Sequence, residues 1–358
     1  MKKMNIPFSP PDISQAEIDE VCDALRSGWI TTGPRTKELE RQVAARCGTP
    51  KAVCLNSATA ALECALRLLG VGPGDEVITS AYTYTASCSV ICHVGATPVL
   101  VDVTPDSYQM DLDALAAAIT PRTKALIFNN PSNPTGMMYD KEQQEAIARI
   151  CVEEDLYVIS DEIYGKLTFD GKTYTSFASL GEDVKARTIL VNGVSKTYAM
   201  TGWRIGFAAA DQKIIKVMTN YLSHCISGTS SISQAAAVEA FAGSQAEIED
   251  MRATFEERRN YLYERMNKIP GVHAVRSEAT FYMMMSMEDL VGKTLYGVEI
   301  KDADDFSDVF LDKGGVAVVP CTGFGAPYFT RWSFAVSMET IKEGLDRLER
   351  FLAGAGIQ

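Results

Sequence analysis

Ser195-Lys196-Thr197-Tyr198-Ala199-Met200-Thr201-Gly202-Trp203-Arg204-Ile205-Gly206 is the stretch whose reading decides the fold. It follows an apolar run, Thr188 to Val191, that reads as a buried strand, and it carries an arginine eight residues after a lysine. A lysine at the mouth of a strand can condense with an aldehyde, and an arginine nearby can balance a phosphate. Alone the pair says little, because most lysines and arginines are solvated surface. Two motifs upstream, Asn133-Pro134-Thr135-Gly136 and Ser160-Asp161-Glu162-Ile163-Tyr164, also stand at the ends of predicted strands. That ordered company gives the lysine its weight.

Outward from these motifs, short apolar runs alternate with amphipathic stretches, the pattern of βαβ units on a mostly parallel sheet. The predicted strands are Ala52 to Leu55, Glu76 to Thr79, Pro98 to Val103, Lys124 to Asn129, Leu156 to Ser160, Thr188 to Asn192 and Ile205 to Ala209. Gly72-Pro73-Gly74-Asp75 is a turn feeding the second of them. Helical spacing runs from Ala58 to Leu69, from Lys141 to Glu154 and from Ser244 to Asn267. After about Gly243 the pattern changes to an α+β one. Strands are expected at Val272 to Val275, Thr280 to Met285, Val316 to Pro320 and Thr330 to Val336, with helices at Ala303 to Lys313 and Glu339 to Leu352.

A chain of 358 residues exceeds the usual limit for one core. The expected division is a large domain of residues 28–243 and a small domain of 1–27 with 244–358. The formal net charge of -12 argues against a nucleic-acid groove and against docking on anionic membranes. No apolar run is long enough to span a bilayer, and the opening Met1 to Phe8 lacks the apolar core of a signal peptide. The nine cysteines (22, 47, 54, 64, 88, 92, 151, 225 and 321) include no CxxC pair. Cys88 and Cys92 are four apart, with His93 beside them and no second cluster to complete a metal site, so no metal is expected. Reduced cysteines packed as small apolar residues fit a cytoplasmic protein.

In order and context the three motifs resemble the class I aminotransferases, enzymes that use pyridoxal 5'-phosphate (PLP). The likeness is uneven. From about Ile6 to Ala125 the chain looks like the sugar aminotransferases of the DegT/DnrJ/EryC1/StrS family. The residues that carry it include Ser27-Gly28-Trp29-Ile30-Thr31-Thr32-Gly33-Pro34, Asn56-Ser57-Ala58-Thr59-Ala60-Ala61-Leu62 and Ala81-Tyr82-Thr83-Tyr84-Thr85. From about Leu126 onward it looks like the aspartate aminotransferase group. The seam falls inside Pro121 to Ile127 and suggests a chimera. Both families imply the PLP-dependent transferase fold type I: a large α/β domain with a mostly parallel seven-stranded sheet, plus a smaller α+β domain.

The resemblance also assigns roles. Lys196 is expected to bind the cofactor aldehyde as an imine and to carry the proton once freed. Asp161 is expected to face the pyridine nitrogen and keep it protonated, the alternative being a helix N-cap. Asn133 and Tyr164 would hydrogen-bond the phenolic oxygen, though Asn133 could instead serve only a turn. The amides of Ala58 and Thr59, at a helix start, and the guanidinium of Arg204 would hold the phosphate. Tyr84 would stack on the ring or, alternatively, fill a core.

Arg331, in Phe329-Thr330-Arg331-Trp332-Ser333, resembles the arginine that grips a substrate α-carboxylate, with Asn133 beside the substrate as well. Two departures stand out. Gly193 replaces the serine that in many relatives touches the phosphate, leaving open whether Ser195 takes its place. Ile30 to Pro34 holds no counterpart of the tyrosine that in class I enzymes crosses to the neighbouring subunit.

The implied function is a ping-pong exchange of an amino group between an α-amino acid (aspartate, glutamate or aromatic) and a 2-oxo acid, in a homodimer. The alternatives are transamination of a nucleotide-linked keto sugar, and a recombinant that binds PLP with little turnover.

Overall fold

The structure is a computed structural model that describes residues 15–105 and 107–357. Residues 1–14, which include the opening Met1 to Phe8 and part of the expected small domain, lie outside the described residues. The chain begins with α1 (Gln15–Arg26), α2 (Pro34–Cys47), β1 (Lys51–Leu55), α3 (Ala58–Leu68), β2 (Glu76–Ser80), α4 (Thr85–His93) and β3 (Thr97–Val101). It continues with α5 (Leu112–Ala118), β4 (Thr123–Asn129), α6 (Lys141–Glu153), β5 (Tyr157–Asp161), α7 (Glu182–Arg187), β6 (Thr188–Gly193) and α8 (Val194–Thr197). Then follow β7 (Gly206–Ala210), α9 (Gln212–Cys225), α10 (Ser231–Ala242), α11 (Ala246–Met266), β8 (His273–Val275) and β9 (Tyr282–Ser286). A minimal hairpin, β10 (Thr294–Leu295) and β11 (Val298–Glu299), precedes α12 (Ala303–Val309), β12 (Val319–Pro320), β13 (Phe329–Ser333) and α13 (Met338–Gly354).

The large sheet has seven strands in the order β1-β7-β6-β5-β4-β2-β3. All neighbours are parallel except β7, which runs against both β6 and β1. Alternation along the strands explains why both faces are covered. In β4, Ala125 and Ile127 pack with Leu62, Leu66 and Met218 on one face. Leu126 and Phe128 pack with Ile147 and Cys151 of α6 on the other. Helices α2 and α10 cover the β1–β7 end of that second face through Leu39, Val43, Ala236 and Phe241. Helix α1 lies along α10.

Local chemistry sets the helix starts. Asp140 and Gln143 form a reciprocal capping box at α6, each side chain accepting the other's backbone N–H at 2.9 Å. Ser57 caps α3, accepting from the Ala60 amide at 3.0 Å.

The second sheet, β12-β13-β9-β8, is antiparallel and packs on α11, α12 and α13 around Phe306, Phe310, Phe334, Leu345 and Leu348. The expected long helix to Lys313 instead ends at Val309 and relaxes into a wider turn over Phe310 to Gly314. Gly314 permits it, since a Cβ there would meet the Phe310 ring at about 2.5 Å. The strand expected over Val316 to Pro320 keeps its end but begins only at Val319.

Candidate active site

Brought to one edge of the large sheet are the ends of β1, β2, β4, β5 and β6. Because β7 is reversed, its beginning lies there too. In open α/β sheets this carboxyl edge is where ligands bind. Every large-domain residue singled out in the sequence sits on a connection at this edge: Ala58 and Thr59 after β1, Tyr84 after β2, Asn133 after β4, Asp161 and Tyr164 at and after β5, Lys196 after β6, Arg204 before β7.

Lys196 lies in α8 with its Nζ 5.4 Å from the Phe281 ring centroid and 6.0 Å from that of Tyr164. Burial lowers its pKa first, and the guanidiniums of Arg331 and Arg204 lower it further, while Asp161 opposes them. An amine so placed gives up its proton more readily than a surface lysine. Asp161 closes β5 and accepts the Ile163 amide at 3.2 Å. Burial pushes its carboxyl up to about 6, against the pull of that amide and of Lys196. An enclosed carboxylate with so little compensation calls for a cationic or protonated partner. Tyr164 is buried, edge-on to Phe281 and Tyr282 at 5.8 and 6.1 Å between centroids, and burial pushes its phenol well above the ordinary range. It therefore stays a neutral O–H.

The start of α3 offers unpaired backbone donors. In α3 the Ala61 amide makes the first intrahelical bond, to the Ser57 carbonyl at 3.2 Å, so the amides of Ala58 and Thr59 stand ahead of the ladder. A Cβ at Gly206 would run into the Ser57 and Ala58 backbone, so β7 passes this helix start only as glycine. Gly193, paired with Gly206 across the strands, is equally confined: a Cβ there would stand 2.8 Å from the Ile205 carbonyl oxygen. Arg204 has a left-handed backbone (φ 57°) and donates to the Thr201 carbonyl at 3.1 Å. Among the described residues it has no carboxylate partner. Thr59 is exposed in the first turn of α3.

Arg331, on β13, reaches across from the small sheet. Its Nη1 donates to Asn133 Oδ1 at 2.7 Å, and its guanidinium carbon lies 4.2 Å from the Tyr282 ring centroid and 5.6 Å from that of Phe324. No carboxylate among the described residues pairs with it. The Asn133 backbone N–H in turn donates to Asn129 Oδ1 at 3.3 Å, which ties the loop to the end of β4. Tyr84 sits at the cap position of α4 with 49% of its surface exposed, so its ring is free to be covered.

Several residues here were not legible as site residues. Tyr282 and Phe281 lie in a strand read only as structure, yet they wall both Lys196 and Arg331. Phe324 and Asn129 were likewise passed over, and the only available signal was the aromatic density of Phe281-Tyr282. A cavity of about 840 Å³ is lined by Glu162, Tyr174, Asn192, Gly193 and Tyr198. It is not lined by Lys196, Asp161 or Arg331, so it is not the place where these groups converge.

The donor set fits PLP on this chain's own features. An under-compensated Asp161 suits a protonated ring nitrogen, an amine of lowered pKa suits an aldehyde, and the glycine-only passage at Gly206 leaves the helix start open to a phosphate.

The profile described as aminotransferase class I and II matches residues 4–348. The chain belongs to this family of PLP-dependent transaminases, which act on amino acids and 2-oxo acids. An aspartate aminotransferase from Bacillus sp. (strain YM-2) is 41% identical over 280 residues, 78% of this chain and 70% of that one. The aspartate aminotransferase structure from Rhizobium meliloti superposes with a TM-score of 0.88 at 31% identity, covering 97% of this chain and 90% of the other. The aromatic aminotransferase structure from Pyrococcus horikoshii gives 0.87 at 31%, covering 97% and 95%. The family match passes through residues 121–127, so one family accounts for both sides of the expected seam and a chimera is not shown.

Proposed function

We propose that this transaminase takes free α-amino acids, aspartate, glutamate or aromatic ones, as donors and 2-oxo acids as acceptors. The observation that carries the reading is the pairing of Arg331, held by Asn133 and lacking a carboxylate partner among the described residues, with the lowered amine of Lys196. PLP, when bound, supplies an aldehyde carbon that condenses with amines and a ring that accepts electrons. Arg331 binds the substrate carboxylate by its planar fork, and Asn133 fixes that fork. Lys196 is the nucleophile and afterwards the proton carrier. Asp161 would keep a proton on the ring nitrogen of bound PLP, and Tyr164 and Asn133 would hydrogen-bond its phenolic oxygen. Ala58, Thr59 and Arg204 would hold the phosphate, and Tyr84 would cover the ring.

The assembly is a homodimer in the cytoplasm, with residues 28–243 as its large domain and 1–27 with 244–358 as its small one. The separate apolar cores support that division, while α1 along α10 ties residues 15–26 to the larger unit. No helix among the described residues is long and apolar enough to cross a membrane. The finer reading, a sugar-aminotransferase-like segment at 6–125 joined to a class I remainder, rests on the motifs at 27–34, 56–62, 74–79, 81–85 and 95–103 alone. A nucleotide-sugar acceptor is the second reading on the same ground. A cofactor holder with little turnover is the third, because Ile30 to Pro34 offers only short hydroxyls to a neighbouring phosphate.

The test is the visible spectrum of purified, PLP-loaded protein titrated with amino donors. Conversion of the cofactor band to the pyridoxamine form by an α-amino acid supports the reading. Conversion by an amino sugar nucleotide alone would replace it with the second. Size measured with and without PLP, together with cofactor lost on dialysis, tests the dimer: a stable, active monomer would refute it.

A further inference from the structure

At the carboxyl edge of the large sheet, side chains carry on where the ladder stops. β4 and β5 stay in register up to Asn129 opposite Asp161, and β5 and β6 up to Asp161 opposite Val191. An asparagine stands on either flank of the turn that follows. Asn129 ends β4: its Nδ2 donates to the Asp161 carbonyl at 3.2 Å, and its Oδ1 accepts the Asn133 N–H at 3.3 Å. Asn192, in β6, repeats the arrangement on the other side. Its Nδ2 donates to the Glu162 carbonyl at 2.8 Å, and its Oδ1 accepts the Gly193 N–H at 2.7 Å. Gly193 is the cap position of α8, the short helix that holds Lys196. Glu162 is itself anchored, its Oε1 accepting from Ser160 Oγ, Ser176 Oγ and the Phe177 amide at 3.0, 2.9 and 3.1 Å.

Resting on the reading above, we infer that Asn129 and Asn192 are positioning residues, two amide clips that set Asp161 against Asn133 on one side and against Lys196 on the other. The strands do not need these side chains to stay closed. Backbone bonds already do that: the Asn130 N–H donates to the Asp161 carbonyl at 3.1 Å, and the Glu162 N–H to the Val191 carbonyl at 2.9 Å. What each amide adds is a link between two neighbouring turns. A carboxamide is planar and rigid, so a turn gripped at one end of it cannot move without the turn gripped at the other. A misplacement of about 1 Å at reacting groups costs on the order of 100-fold in rate, so such links are felt in turnover before substrate binding.

The experiment compares the full-length, PLP-loaded wild type with Asn129→Ala, Asn192→Ala and Asn192→Asp. The last keeps the acceptor for Gly193 and its shape but cannot donate to Glu162. Measured are kcat and KM for the fastest amino donor, the pH midpoint of the visible cofactor band, and Tm. Each variant is expected to lose about tenfold in kcat with KM changed by less than about threefold. The midpoint is expected to rise by about half a pH unit or more. A protonated ring nitrogen and a donor at the phenolic oxygen both ease proton loss from the nitrogen joining Lys196 to the cofactor, and loosened clips weaken both. Ser337→Ala is the destabilised reference. It removes the α13 cap, where Ser337 accepts the Thr340 amide at 3.2 Å, and is expected to lower Tm without moving the midpoint. Asparagine variants that behave like this reference, with wild-type kcat and midpoint, would overturn the inference and leave the transaminase reading intact. A loss in KM alone would overturn it as well. Wild-type behaviour of Asn192→Asp would overturn the Glu162 carbonyl as the contact that matters. A wild type that shows no cofactor band would remove the reading beneath.

Discussion

The site has a floor and a roof, and they are made in different ways. The floor is the carboxyl edge of the large sheet, where Asp161, Lys196 and Arg204 are each positioned by the strand they end or begin. Burial raises the carboxyl of Asp161 and lowers the pKa of the Lys196 amine, while Arg204 lies exposed beside the start of β7. The roof is the small sheet, where Arg331 lies over Tyr282 and beside Phe324 and is fixed by one hydrogen bond to Asn133. The floor is set by chain order, the roof by pairing between distant segments. A floor of this kind does chemistry with whatever the roof admits.

The sharpest way to break the floor is Lys196→Ala. Transamination is expected to fall by about 10³-fold or more, since the proposed nucleophile and proton carrier would be lost together. Borohydride reduction followed by peptide mapping checks the premise, and a label on any other lysine would sink it. The matching change in the roof is Arg331→Lys. Losing a bidentate grip on the carboxylate is expected to raise KM for amino acids by about 10–100-fold with a smaller change in PLP affinity. Cofactor loss at normal KM would move Arg331 from the roof to the floor.

A gentler strain on the floor is Gly206→Ala, whose new methyl would collide with the Ser57 and Ala58 backbone. PLP affinity is expected to weaken by about tenfold, roughly 1.4 kcal/mol, as the helix start shifts. Equilibrium dialysis measures it, and unchanged affinity would show that the helix start is not the phosphate seat.

The smallest effect concerns pH. Burial raises Asp161 to about 6 and Glu162 from 4.5 to about 7 in the folded, cofactor-free protein. The native state therefore holds these protons to higher pH than the unfolded chain does. Their stabilising contribution is present at low pH and is lost as pH rises from about 4 through about 7. Glu162→Gln, which cannot ionise, should gain on the wild type between pH 5 and 8 by about 1–3 °C in Tm. A Tm difference that is flat with pH would mean that Glu162 is not raised.

How much of this was legible follows the same division. All seven strands of the large sheet were readable to within two residues at their ends, because each is a short apolar run between turns. The floor residues came with them, since a motif at a strand end needs only the strand to be placed. Arg331 was readable from its own motif. Its neighbours were not: Tyr282 and Phe324 meet it through the β9–β13 register and the turn before β13, and no local spacing encodes either. The early helices α1, α2, α4 and α5 also escaped, being short or placed by tertiary packing more than by a clear apolar stripe. The expected two-parent seam was drawn from short motifs in the first third of the chain, and the family match runs through it.

The reversed strand β7 has a consequence for anyone who would exchange parts between relatives. It pairs residues 51–55 with 206–210 and sets Gly206 against the Ser57–Ala58 turn. The opening third of the chain and the segment after Lys196 are thus two halves of one fitting, separated by some 150 residues. A graft that replaces the first segment inherits the requirement for glycine in the second. Compatibility between donor sequences would therefore be decided at this buried meeting point and not at the junction where the pieces are joined.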